Sequence, residues 1–144
     1  MINDDTIKLL NECNAGVKMA VSSIDEVMPK VKSEKFEQLL LNCRHEHEKL
    51  GNETHRLLNE YEDGGEEPSP IAKGMSWIKT NTKLAMNPTD NTAADLITEG
   101  CNMGIKSLNR YLNQYKAADQ QAKNITEQLI HSEEQLSVQL RPFL

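Results

Sequence analysis

Residues 13–18 read Cys13-Asn14-Ala15-Gly16-Val17-Lys18, and residues 101–106 read Cys101-Asn102-Met103-Gly104-Ile105-Lys106. Four of the six positions are identical, a fifth is a Val/Ile exchange, and the copies stand 88 residues apart. Each copy lies in a long stretch whose apolar residues recur at alternating steps of three and four, which places them on one face of an α-helix. A second stretch of the same period follows each copy. In those following stretches Glu37-Gln38-Leu39-Leu40 echoes Glu127-Gln128-Leu129-Ile130 at an offset of 90. The economical reading is a helix hairpin written twice, with the two hairpins packed into one bundle.

Working outward, the first seam runs Leu10, Cys13, Val17, Ala20, Ile24, Val27, Val31, with Asp4 or Asp5 as the expected cap and Pro29 near the end. Ser33 reads as a new cap, and the second seam runs Phe36, Leu40, Cys43, His47, Leu50, Thr54, Leu57, Tyr61. So short a connection makes these two helices antiparallel neighbours. Asp63-Gly-Gly-Glu-Glu-Pro-Ser-Pro70 is a loop by composition. Residues 70–86 carry a weaker pattern around Met75, Trp77, Ile78 and Leu84, read as one short helix on the outside of the bundle, broken at Asn87-Pro88. The third seam runs Ala94, Ile97, Cys101, Ile105, Leu108, Leu112, Tyr115, with Tyr111 alongside. A turn is expected near Ala117-Ala118-Asp119. The fourth seam runs Ala122, Ile125, Leu129, Glu133 or Ser132, Leu136, Leu140, and Pro142 stops it. This gives one all-α domain over 1–144: hairpin 4–62, crossover 63–92, hairpin 93–141.

Composition agrees. Aromatics are 4% of the 144 residues, while Leu, Met, Ala, Glu, Gln and Lys, the residues of helices, are plentiful. A net charge of −6 argues against nucleic acid, whose phosphates require a concentrated positive face. No run approaches the roughly 18 apolar residues of a membrane span. Met1-Ile-Asn-Asp-Asp5 lacks the basic and apolar regions of a signal peptide, so a cytoplasmic location is expected.

Two hairpins joined by one long crossover is the ferritin-like connection. In Ala72-Lys-Gly-Met-Ser-Trp-Ile-Lys79, and from Ala94 through Tyr111 to Leu140, the chain resembles small ferritin-like bundles of uncharacterised bacterial families. That resemblance implies a ferritin-like four-helix bundle with an extra short helix in its crossover. It also raises the question of a di-metal site, built in such bundles from one Glu on each of two helices and a Glu-x-x-His on each of the other two. No Glu-x-x-His occurs here: Arg44 stands three residues before His47, and Leu136 three residues after Glu133. The weak metal candidates are Glu12, Glu46, His47, Glu99 and Glu133, with Glu12 and Glu99 lying one or two positions off the seams. Cys43 and His47, four apart, suit zinc but are only two ligands. The expectation is therefore a degenerate or absent site with no cofactor, and a non-catalytic protein acting structurally or through contacts with a protein partner. Its alternative is a di-iron or di-manganese oxidoreductase or a metal-storage protein, with iron, manganese or zinc bound.

Another reading comes from His47-Glu-Lys-Leu-Gly51-Asn52, which is similar to the phosphoacceptor segment of histidine phosphotransfer domains. Leu50 stands where that motif has Lys, and the seam places His47 inside. His45, His55 and His131 fall off the seams and are expected in solvent. Trp77 and Ile78 offer an apolar spot for a homodimer contact, or pin the crossover to the bundle. The six methionines read as core filler.

All three cysteines lie on seams and are expected to be buried, free and reduced. With about 1.5 Å of rise per residue, Cys13 lies more than ~10 Å along the axis from Cys43 and Cys101, beyond the ~7 Å Cα limit of a disulfide. Cys43 and Cys101 share a layer on helices expected to be diagonal, so no disulfide is expected.

Overall fold

The computed structural model describes residues 3–61 and 82–144. Every element among them is helical: α1 (Asp4–Val27), α2 (Glu34–Tyr61), a short α3 (Thr82–Met86), α4 (Asp90–Gln114) and α5 (Gln120–Gln139), with 3-10 turns at Met28–Lys30 and Arg141–Phe143. Both 3-10 turns carry a proline, Pro29 and Pro142, at the point where an α-helix can no longer continue.

Side chains that reach backbone N–H groups set the helix starts. Asn3, and not Asp4 or Asp5, caps α1, its Oδ1 accepting from the Thr6 amide at 2.9 Å; the two aspartates occupy the first turn, where negative charge suits the helix dipole. Ser33 caps α2 through the Phe36 amide at 3.2 Å. Thr89 caps α4, which therefore opens at Asp90, three residues ahead of the expected 93. Asp119 caps α5 through the Ala122 amide at 2.9 Å.

Two sets of hydrogen bonds then fix the direction of each helix. At one end the Asp90 carboxylate accepts the amides of Lys32 and Ser33, at 2.8 and 2.9 Å, so α4 begins beside the α1–α2 turn. At the other end Asn3 donates to the Ala117 carbonyl at 2.7 Å. There too Asp5 accepts from the Ala117 amide at 3.0 Å, and Thr6 Oγ1 from the Asp119 amide at 2.8 Å. The start of α1 thus lies on the α4–α5 turn. With α1 running up, α2 runs down, α4 down and α5 up. In the ring α1, α2, α5, α4 each helix packs against two antiparallel neighbours. Across the diagonals, α1 touches α5, whereas α2 and α4 hardly meet. The end of α2 and the start of α3 lie at opposite ends of this bundle. Residues 62–81 join them and lie outside the described residues, as do Trp77, Ile78 and most of the expected crossover helix.

The expected seams are the core. From Leu10 to Val27 on α1 and from Phe36 to Leu57 on α2, every seam residue is buried, as are Ala94, Ile97, Cys101 and Leu108 on α4 and Ala122 to Leu140 on α5. Val31, Tyr61, Ile105, Leu112 and Tyr115, at or near helix ends or on outward-turned positions, are half-buried. Leu84 of α3 is wholly buried and belongs to the same core cluster as Phe36, Ala93 and Ala94, so the end of the crossover is part of the core and does not lie outside it. The apolar side chains form two clusters, one from Ala20 and Cys43 to Leu140 and the other from Leu9 and Leu50 to Ile130.

Cys13, Cys43 and Cys101 are free thiols and all buried. Burial pushes Cys13 and Cys43 up to about 12 and Cys101 upward as well. Because only the thiolate reacts at a useful rate, alkylation of the native protein should be far slower than of the unfolded chain. Cys43, the one that also borders an outer groove, should lead. A thiol-labelling time course with mass-spectrometric readout checks this; rapid native labelling of Cys13 would contradict the packing. Gly51 allows a second check. A Cβ there would stand 2.9 Å from Val17 Cγ1 across the α1–α2 contact, and a β-branched side chain yields little. Gly51→Ala is expected to destabilise by about 1–3 kcal/mol despite the better helix former, and Gly51→Ala with Val17→Ala should show favourable coupling in a denaturation cycle.

Candidate functional site

Buried ionisable groups of opposite type, a histidine and an acid, meet on the seams at one level. On α2, His47 separates Cys43 from Leu50; on α5, Glu133 separates Ile130 from Leu136; on α4, Gly104 lies opposite Glu133. A Cβ built on Gly104 would come within 2.3 Å of Glu133 Oε1, so the second hexapeptide's glycine is what leaves room for the carboxyl. His47 is 1% and Glu133 2% exposed.

His47 Nδ1 lies 3.0 Å from the Cys43 carbonyl oxygen, with the Cys43 thiol and the Ser132 hydroxyl each at 3.5 Å. A carbonyl only accepts, so Nδ1 carries the proton and the Nε2 lone pair is left facing Glu133 Oε1 at 4.0 Å. That separation is too long for a direct hydrogen bond. Glu133 Oε2 has no hydrogen-bond partner among the described residues, and neither do Asn14 Nδ2 and Thr98 Oγ1. Burial raises Glu133 from 4.5 to about 8 and lowers His47. Desolvation thus favours the neutral form of both groups, and the pair is an uncharged acid beside an uncharged imidazole at neutral pH.

On the α1 side, Glu133 forms the floor of a cavity of about 80 Å³ lined by Gly16, Met19, Met103, Gly104 and Leu108. Half-buried Glu12 and Tyr111 stand at its mouth. Both hexapeptide glycines face this one space. On the opposite side, a groove of about 390 Å³ between α2 and α5 is bordered by Cys43, Glu46, His131 and Ser132.

The metal candidates are accordingly dispersed. His47 and Glu133 meet in the core, Glu12 reaches the same cavity from its mouth, Glu46 faces the outer groove, and Glu99 is exposed on α4. No group of three or more His, Cys, Asp or Glu able to hold a metal ion occurs among the described residues. His45, His55 and His131 are exposed, as their positions off the seams implied. Sequence reasoning did not single out Gly104 as the partner of Glu133, nor buried Asn14 and Thr126; the repeated hexapeptide was the available signal for the first two. Comparison with protein families, with curated proteins and with solved structures finds no match.

A pH test follows from the two titrations. Below 4.5 Glu133 is protonated folded or unfolded. Between 4.5 and about 8 the unfolded chain releases this proton and the folded chain keeps it, so stability falls as pH rises. His47 acts in the opposite sense only below 6.5, where the unfolded chain takes up a proton that the folded chain refuses. From pH 6.5 to 8 the acid therefore acts alone of the two and should cost about 2 kcal/mol. Chemical denaturation across that window should show this slope in the wild type and lose it in Glu133→Gln, with the thiols contributing equally to both. Parallel slopes would mean that Glu133 is ionised in the fold.

Proposed function

We propose that this chain is a ferritin-like bundle in which the di-metal position has degenerated, and that it works without catalysis, structurally or through contacts with a protein partner. The observation that carries this reading is the single-level pairing of His47 with Glu133. Two potential ligands occur where a di-metal centre needs six, and thiols, alanines and leucines fill the surrounding seam positions. The helix order and directions support the ferritin-like connection, because α2 ends at the opposite end of the bundle from the start of α4 and each hairpin is antiparallel. Iron or manganese sites of this kind rely on carboxylates that bridge and charge-balance the metals. Here Glu99 and Glu46 face away and Glu133 is held neutral.

One observation favours the alternative of a metal protein with unusual ligands. His47 Nε2 and Glu133 Oε1 lie 4.0 Å apart in the core, and a cation would ionise that acid. By contrast, the phosphotransfer reading requires His47 to meet a partner's active site, and at 1% exposure it faces the core.

Elemental analysis of protein purified without chelator separates the two readings. Iron, manganese and zinc are expected well below one equivalent per chain. Near-stoichiometric metal that is lost in His47→Ala and Glu133→Gln would replace the proposal with the metal-protein reading.

A further inference from the structure

The cavity between α1 and α4 has a construction that neither packing nor a degenerate metal site calls for. Its lining is mostly apolar, with Ala15, Met19, Met103 and Leu108 beside the polar Ser107, Tyr111 and Glu12, and the backbone is bared at Gly16 and Gly104. Its floor is a carboxyl group whose Oε2 has no partner, on a residue 2% exposed. A Cβ at Gly16 would meet nothing within 4 Å, so this glycine leaves open a space that the next larger residue would begin to fill. An unpartnered buried carboxyl oxygen is costly, and natural cores rarely leave one without a ligand or water.

We propose that this cavity is a binding site for a short primary alkylammonium ion, with the ammonium on Glu133 and the alkyl chain between Met19 and Met103. Three features select that class. The floor offers a single carboxyl, which suits a cationic donor. The walls supply methylenes and thioethers, against which an alkyl tail is buried. An alkali or alkaline-earth ion takes about six or more oxygen ligands, and no group of three or more His, Cys, Asp or Glu able to hold a metal ion occurs among the described residues. Size narrows the class further: a cavity of about 80 Å³ admits only a small guest, such as ethylammonium. Glu12 at the mouth adds a second negative charge on the way in. The groups around the carboxyl are Glu12 and Cys13 on α1, Cys43 and His47 on α2 and Cys101 on α4; none of them carries a positive charge that would compete for Glu133 while His47 is neutral.

The affinity of so small a guest is limited to roughly millimolar, which sets the experiment. The intact protein, labelled with ¹³C at its methionine methyls, is titrated with ethylammonium chloride at about pH 9, where the Glu133 carboxyl is ionised. Sodium chloride and tetramethylammonium chloride at equal ionic strength serve as controls. Saturable shifts confined to Met19 and Met103 are expected with ethylammonium only. Glu133→Gln should weaken binding at least tenfold. Gly16→Leu, which places a side chain in the cavity and improves on glycine in a helix, should abolish it while helicity is kept. Absence of saturation, shifts spread over all methionines, equal shifts with tetramethylammonium, or undiminished binding in Gly16→Leu would each overturn the proposal. Saturation by manganese or zinc in place of ethylammonium would overturn it in favour of a metal site.

Discussion

One carboxylate, that of Asp90, sets the order of this bundle. By accepting the amides of Lys32 and Ser33 it satisfies two donors in a turn that has no room for regular helix bonding, and it does so from the first residue of α4. Asp90 therefore ties the start of the second hairpin to the turn of the first. The bonds from Asn3, Asp5 and Thr6 to Ala117 and Asp119 make the matching tie at the other end. Between these two ties the axial register of four helices has little freedom. That register brings His47, Glu133 and Gly104 to one level and Gly16 opposite Gly104.

At that level the bundle gives up hydrophobic burial. A leucine at position 133 would join the two apolar clusters; the acid keeps them apart and is itself driven to its neutral form. Removing a carboxyl from water without full hydrogen bonding is unfavourable by several kcal/mol at most sites. The structure limits that cost by protonation and by the glycine that makes space. A core built for stability alone would place an apolar residue at position 133.

Much of the fold was legible in the sequence because burial in a bundle follows the three-four period directly. Leu10 through Val27 and Phe36 through Leu57 were placed correctly for that reason. What the period missed is a second stripe, Leu9, Leu58, Ala93 and Ile130, all buried. Each of these helices has two ring neighbours, and α1 and α5 meet across the diagonal too, so the buried arc is wider than one seam. The cap of α1 lies one or two residues before the expected Asp4 or Asp5, because Asn3, Asp4 and Asp5 are all competent caps and only the bond from the Thr6 amide distinguishes them. The site was half legible. His47 and Glu133 could be put on seams, but Glu133 and Ser132 were equivalent by spacing, and the pairing of Glu133 with Gly104 depends on which helices are adjacent. No periodicity encodes that adjacency.

The separation of the core into two clusters has a consequence for how this sequence can drift. The two clusters have no residue in common, and a polar layer lies between them. A change of side-chain volume near Phe36 or Leu140 cannot be absorbed near Leu9 or Leu129, since close-packed interiors relieve strain only among touching neighbours. Each half must find its compensating substitutions within itself. Over time the two ends of the molecule can therefore diverge as separate puzzles, each free of the other's history, while the layer between them is the part that neither can alter alone.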